Sequence, residues 1–173
     1  MVVAAGRRVD APEAATPRFP SRNVPAVRVK VEEYLRQQEP SAIVSSAACG
    51  ADLLVLEAAQ KAAIPCHVLL PSSPEEFRRT SVTDRPGDWG PIYDDALRNS
   101  SVEVHEVPDG QEGYLEINRR LLDKAETVAA GLGTTVAVLI IWNQETRGED
   151  DVTEHFLREA GQRHFPSSEI STL

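Results

Sequence analysis

Two arginines directly after a glycine, Gly6-Arg7-Arg8, offer the clearest chemistry in this chain. Glycine lets a backbone approach a ligand closely, and paired guanidinium groups supply charge and forked donors suited to phosphate. A second candidate is Ser46-Ala47-Ala48-Cys49-Gly50-Ala51-Asp52. Small residues between an apolar run and a helix would leave backbone N–H groups open to an anion at the helix start. Tight packing without any ligand explains such a turn equally well. Further along, Tyr114 and Asn118 stand four residues apart and share one helix face, a ring for stacking and an amide for hydrogen bonding. Trp142, Asn143, Arg147 and Gly148 follow the longest apolar run, and Glu149, Asp150 and Asp151 come next. Carboxylates there cap a helix or accept hydrogen bonds from ribose hydroxyls.

Other chemistries lack their residues. No Lys-Ser or Lys-Thr follows Gly50, and the stretch is not GxGxxG, so neither a Walker loop nor a conventional dinucleotide fingerprint is present. His67, His105, His155 and His164 lack metal-ligand spacing, and neither GxSxG nor HExxH occurs. No metal, no cofactor and no catalytic residue is therefore assigned.

These residues need a frame, and the pattern supplies one. Short apolar runs alternate with helical stretches, as in a parallel sheet with crossover helices. Runs are expected at Val2–Ala5, Ala42–Ser46, Cys66–Leu70, Val102–Val107 and Thr135–Trp142, with a short edge strand over Glu169–Leu173. Helices are expected over 24–38, 51–63, 92–99, 114–130 and 151–162, with one helical turn at Pro74–Arg79. Pro108-Asp109-Gly110 reads as a turn, and Asp151 with Glu154 has the spacing of an acidic capping box. The expected fold class is α/β, a Rossmann-like three-layer sandwich around a mostly parallel sheet of five to six strands. In such a sheet ligands bind beyond the carboxyl ends of the strands, where the residues above fall.

Composition bounds the partners. A chain of 173 residues, 41% hydrophobic and 26% charged, suits one folded domain over 1–173, alone or as a module of a longer protein. The two cysteines, Cys49 and Cys66, read as reduced thiols, and no apolar run approaches a bilayer span. A cytoplasmic protein with no membrane partner is expected. The net charge of −9 argues against a nucleic-acid polymer as partner. Its distribution says more. Residues 1–30 hold six basic groups against two acidic ones, while the remaining 143 hold 12 against 25. A positive patch on an acidic body suits a small anion.

The segments AAGRRVDAPEAATPRFP, IVSSAACGADLLVLEAA, VLLPSSPEEFRRTSV and VLIIWNQETRGEDDVTEHFLREA together resemble the SLOG superfamily. This Rossmann-like group is related to the bacterial DNA-processing protein and the lonely-guy phosphoribohydrolases. The resemblance implies a pocket for nucleotides or nucleotide-derived ligands, ADP-ribose-like molecules included. By position it would be framed by Gly6 and Arg7, Ser46 to Asp52, Pro71 and the loop after Trp142; periodicity adds Phe77, Tyr114 and Asn118. The hydrolase branch carries PGGxGTxxE, whereas TRGEDDVTEHF here has one glycine and acids in place of the others. The expected function is binding or sensing of a nucleotide-derived signal of the ADP-ribose, NAD-derived or cyclic nucleotide class, without turnover. A homodimer or a fused or associated effector is the expected macromolecular partner. The alternatives are an N-glycoside hydrolase using Glu154 or Asp151, and an interaction scaffold with a decayed pocket.

Overall fold

The computed structural model describes residues 1–108, 110–148 and 151–173. Asp109, Glu149 and Asp150, on which parts of the expected turn and acidic loop fall, lie outside the described residues. Six parallel strands form one sheet: β1 (Val2–Gly6), β2 (Ile43–Ser45), β3 (Cys66–Leu70), β4 (Ser101–Val104), β5 (Ala137–Trp142) and β6 (Ser167–Ser171). Their order is β4-β3-β2-β1-β5-β6, so β1 and β5 are central and pair over five residues, Val2 to Gly6 against Ala137 to Ile141.

Side chains alternate across this sheet and divide the core in two. Val2, Ala4, Ile43, Val68, Leu70, Leu139 and Ile141 face one apolar layer. That layer holds α1 (Val24–Gln38), α2 (Ala51–Lys61) and α4 (Trp89–Arg98). Val3, Val44, Leu69, Val138 and Ile140 face the other, where α5 (Gln111–Leu132) and α6 (Val152–Gln162) pack. The short α3 (Pro74–Phe77) runs into a wide helical turn at Arg78–Val82. Burial on both faces is why β5 is apolar throughout instead of alternating. The architecture is the expected Rossmann-like three-layer sandwich.

Element ends differ from expectation for local reasons. α4 begins at Trp89, before Pro91, because a missing N–H costs nothing in the first helical turn. α5 begins at Gln111 and includes the buried Gly113, where a Cβ would stand 1.9 Å from the Pro108 carbonyl oxygen. β4 ends at Val104, although the His105 and Val107 N–H groups still donate to the Leu70 and Pro71 carbonyls. β6 begins two residues early, at Ser167, as the edge strand beside β5. Both cysteines are free and buried, and burial pushes the Cys66 thiol up to about 11. Among the described residues no helix is long and apolar enough to cross a membrane.

Candidate functional site

The strand order reverses direction at β1, which puts a crevice outside the carboxyl ends of β1 and β5. A cavity of about 650 Å³ lies there. Of the residues singled out from sequence, Gly6, Arg7, Arg8, Ser46, Asp52, Pro71, Phe77, Tyr114, Asn118 and Arg147 line it. Ala47, Gly50, Ala51, Trp142 and Asp151 do not; they stand behind its wall.

The strand-to-helix turn at Gly50 does something other than expected. Three of its N–H groups are already spent inside the protein. Ala48 donates to the Asp52 carboxyl at 3.2 Å, Cys49 to the Ser81 carbonyl at 3.0 Å and Ala51 to the Arg7 carbonyl at 3.1 Å. This helix start is therefore a splice between β1 and α2, with no open row of donors for an anion. Gly50 has φ +100°, and a Cβ there would lie 2.7 Å from the Arg7 carbonyl oxygen. Gly50→Ala is expected to cost about 2–4 kcal/mol, from strained backbone and the displaced Arg7 segment together. Urea unfolding checks this: the midpoint should fall with the slope unchanged.

Arg7 also differs from a free phosphate cation. It is 3% exposed, and its guanidinium is held on three sides. Nε donates to Asn143 Oδ1 at 3.1 Å, and both terminal nitrogens fork onto Asp151 at 2.6 Å. Nη2 also donates to the Glu145 carbonyl at 2.8 Å, and the Trp142 ring lies 5.6 Å from the guanidinium carbon. Only one of its five N–H groups is left for anything else. Arg7 is a rivet between β1 and the loop after β5.

Asp151 is the other half of that rivet. It caps α6 by accepting from the Thr153 and Glu154 N–H groups, and it also accepts from the Arg147 N–H at 2.8 Å. Burial opposes its ionisation, but the Arg7 fork and these amides hold its pKa at about 2. The reciprocal half of the expected capping box is absent, since Glu154 accepts from the Thr146 hydroxyl and the Asp151 N–H goes to Gly148.

Sequence reasoning missed several wall residues, chiefly Asp10, Arg18 and Arg85. Asp10 accepts from the Arg18 and Phe19 N–H groups, folding the loop after β1 back over the cavity. Arg18 brings its guanidinium to the wall, and its Nε is buried without a protein acceptor among the described residues. The surplus of basic groups in the first thirty residues was the signal that pointed to it. Arg8 and Arg85 both pair with Asp84, Arg85 at 3.6 Å. Burial, and then the charges of Arg7 and Arg18, push the Arg147 guanidinium below its ordinary value against the pull of Asp151. Five guanidinium groups thus meet at one cavity.

Asp52 offsets them only in part. Burial drives its carboxyl up to about 7, although the Ala48 N–H and the charge of Arg8 pull the other way. A raised folded-state pKa means the native protein binds more protons than the unfolded chain between pH 4 and 7. Stability from this group therefore falls as pH rises through that window, by about 4 kcal/mol in all. Asp52→Asn is expected to remove that fall and to raise stability at pH 8. Denaturant midpoints of both proteins at pH 5 and pH 8 measure it.

No family model matches the chain, and no curated protein matches it. Its fold is similar to that of DNA processing protein A (DprA) from Streptococcus pneumoniae in an X-ray structure. The TM-score is 0.45 and the identity 13%, over 98% of this chain and 58% of that one. The chain thus spans less than two thirds of that protein.

Asn118 commits its Nδ2 to the Val152 carbonyl at 2.8 Å, tying α5 to the start of α6, while Tyr114 one turn earlier is 39% exposed. Among the described residues no group of three or more His, Cys, Asp or Glu is placed to hold a metal ion. The walls offer charge, small residues and one open ring.

Proposed function

We propose that this domain binds a nucleotide-derived small molecule carrying a diphosphate, of the ADP-ribose or NAD-derived class, without turning it over. The charge of the cavity carries the reading. Five guanidinium groups face the carboxylates of Asp10, Asp84 and Asp151, while burial leaves Asp52 only about half ionised at pH 7. The surplus of between one and two positive charges suits a diphosphate, and a cationic cleft with low-dielectric walls concentrates such anions. Arg147 and Arg18 are the cations with the weakest internal pairing, and they are the ones assigned to the phosphates. The volume of about 650 Å³ falls in the range of small-molecule sites. The SLOG resemblance of the sequence supports the same ligand class. A long nucleic-acid partner is disfavoured by the net charge of −9.

The lack of turnover rests on the carboxylates. Asp151 is locked by Arg7 and backbone amides, and Glu154 is held by Thr146, so neither stands free to protonate a leaving base or activate water. Equilibrium dialysis of ADP-ribose, NAD and a cyclic dinucleotide, followed by chromatography of the recovered compound, tests the proposal. Saturable retention of at least one, recovered intact, is expected. Recovery as free base and a ribosyl phosphate would establish a hydrolase instead, and no retention of any of them would defeat the reading.

A further inference from the structure

A second cavity of about 190 Å³ opens off the first. Pro71, Phe77, Ser81, Gly110 and Tyr114 line both, so the two adjoin. Their chemistry differs sharply. The larger chamber holds the arginines; the smaller has none among its lining residues. Ser72, Thr80, Val107 and Pro108 line the smaller one, and the one charged side chain among its described lining residues, Glu76, is paired with Arg79 at 2.6 Å.

The two rings are held differently. Phe77 is buried and fixed by stacking on Tyr93, with ring centroids 6.3 Å apart. Tyr114 sits in the first turn of α5, exposed, with both chambers against it. An open ring beside a slot with no cation among its described lining residues is a stacking platform for a planar heterocycle. The slot corresponds to about six waters of liquid volume, room for one ring system.

Resting on the ligand class proposed above, we infer that the ligand has two arms. Its diphosphate lies in the basic chamber, and an uncharged nucleobase enters the side chamber and stacks on Tyr114. Ser72 supplies a hydroxyl group to the edge of that base, and the Thr80 hydroxyl, which donates to the Glu76 carbonyl at 2.9 Å, is placed to accept from it. The absence of a cation among the described lining residues disfavours a second phosphate there.

Calorimetric titration of the full chain with ADP-ribose and with ribose 5-phosphate tests this. ADP-ribose is expected to bind at least tenfold tighter. Ser72→Trp, which fills the side chamber, should weaken ADP-ribose at least tenfold and narrow its advantage over ribose 5-phosphate. Thr80→Trp fills the same chamber from the other side and serves if the first variant does not fold. Tyr114→Ala should weaken ADP-ribose about tenfold and Tyr114→Phe should not. If the filled variants bind ADP-ribose as tightly as the parent, the side chamber is not used, and the two-armed ligand is wrong while the basic chamber stands. Equal losses for both compounds in Tyr114→Ala would likewise refute the stacking role. Binding of neither compound by the parent would overturn the ligand class itself, and this inference with it.

Discussion

Arg7→Ala should lower the stability of the fold by about 3–5 kcal/mol, the largest loss expected from any single change at the site. The reason is the partner left behind. Asp151 is 2% exposed, and without Arg7 its buried charge is left with backbone amides and the Arg147 guanidinium at 4.0 Å. For a domain of this size the melting temperature should fall by about 6–20 °C. Replacing both partners by apolar residues of similar volume, Arg7→Met with Asp151→Leu, should recover much of the loss, because the cost lies in the orphaned charge. The pH dependence gives an independent reading. Asp151 has a depressed folded-state pKa, so its contribution is complete above about pH 4 and is lost as pH falls toward 2. The parent should lose about 2–3 kcal/mol over that window from this group, and the double variant should lose none of it. A melting temperature for Arg7→Ala within about 2 °C of the parent would contradict the rivet.

Arg147→Ala and Arg18→Ala should behave in the opposite way. Each is expected to weaken binding of a diphosphate-bearing ligand about 10- to 100-fold, the worth of one charge-assisted hydrogen bond in a partly desolvated cleft. Stability should stay within about 0.5 kcal/mol of the parent, since neither guanidinium anchors an element. Arg147 even works against its neighbours, so its removal relieves repulsion with Arg7 and Arg18. Arg147→Lys should recover only part of the affinity, because the charge returns without the fork. Calorimetric titration beside thermal unfolding separates the two effects. Loss of binding together with loss of fold would place these residues in the frame and not in the site.

The long elements were legible because burial writes itself into sequence. Val138 to Trp142 is apolar without a break since both faces are covered, and the helical repeat from Ile117 to Ala129 marks the face of α5 against the sheet. Pro91 and Gly113 misled because a breaker inside a helix is harmless in its first turn. At the site, rules about strand ends found Gly6, Arg8, Ser46 and Pro71. They did not find Arg18 or Arg85, which loops without periodicity carry to the cavity. Nor did they show that Arg7 would be consumed by Asp151, a pairing across 144 positions that only the closed sheet creates. The exposed donors expected at Gly50 failed for a similar reason: their acceptors, the Arg7 and Ser81 carbonyls, come from distant segments.

The most direct measurement is a thermal-shift titration with AMP, ATP, NAD, ADP-ribose and cyclic dinucleotides, with base release followed in the same wells. A ligand at a hundredfold excess over its dissociation constant stabilises the native state by about 2.7 kcal/mol. That corresponds to a rise of about 5–11 °C here. A rise of that size with a diphosphate-bearing compound, left intact and lost in Arg147→Ala, is the predicted result. No rise with any of them would contradict a nucleotide-binding cavity in this domain.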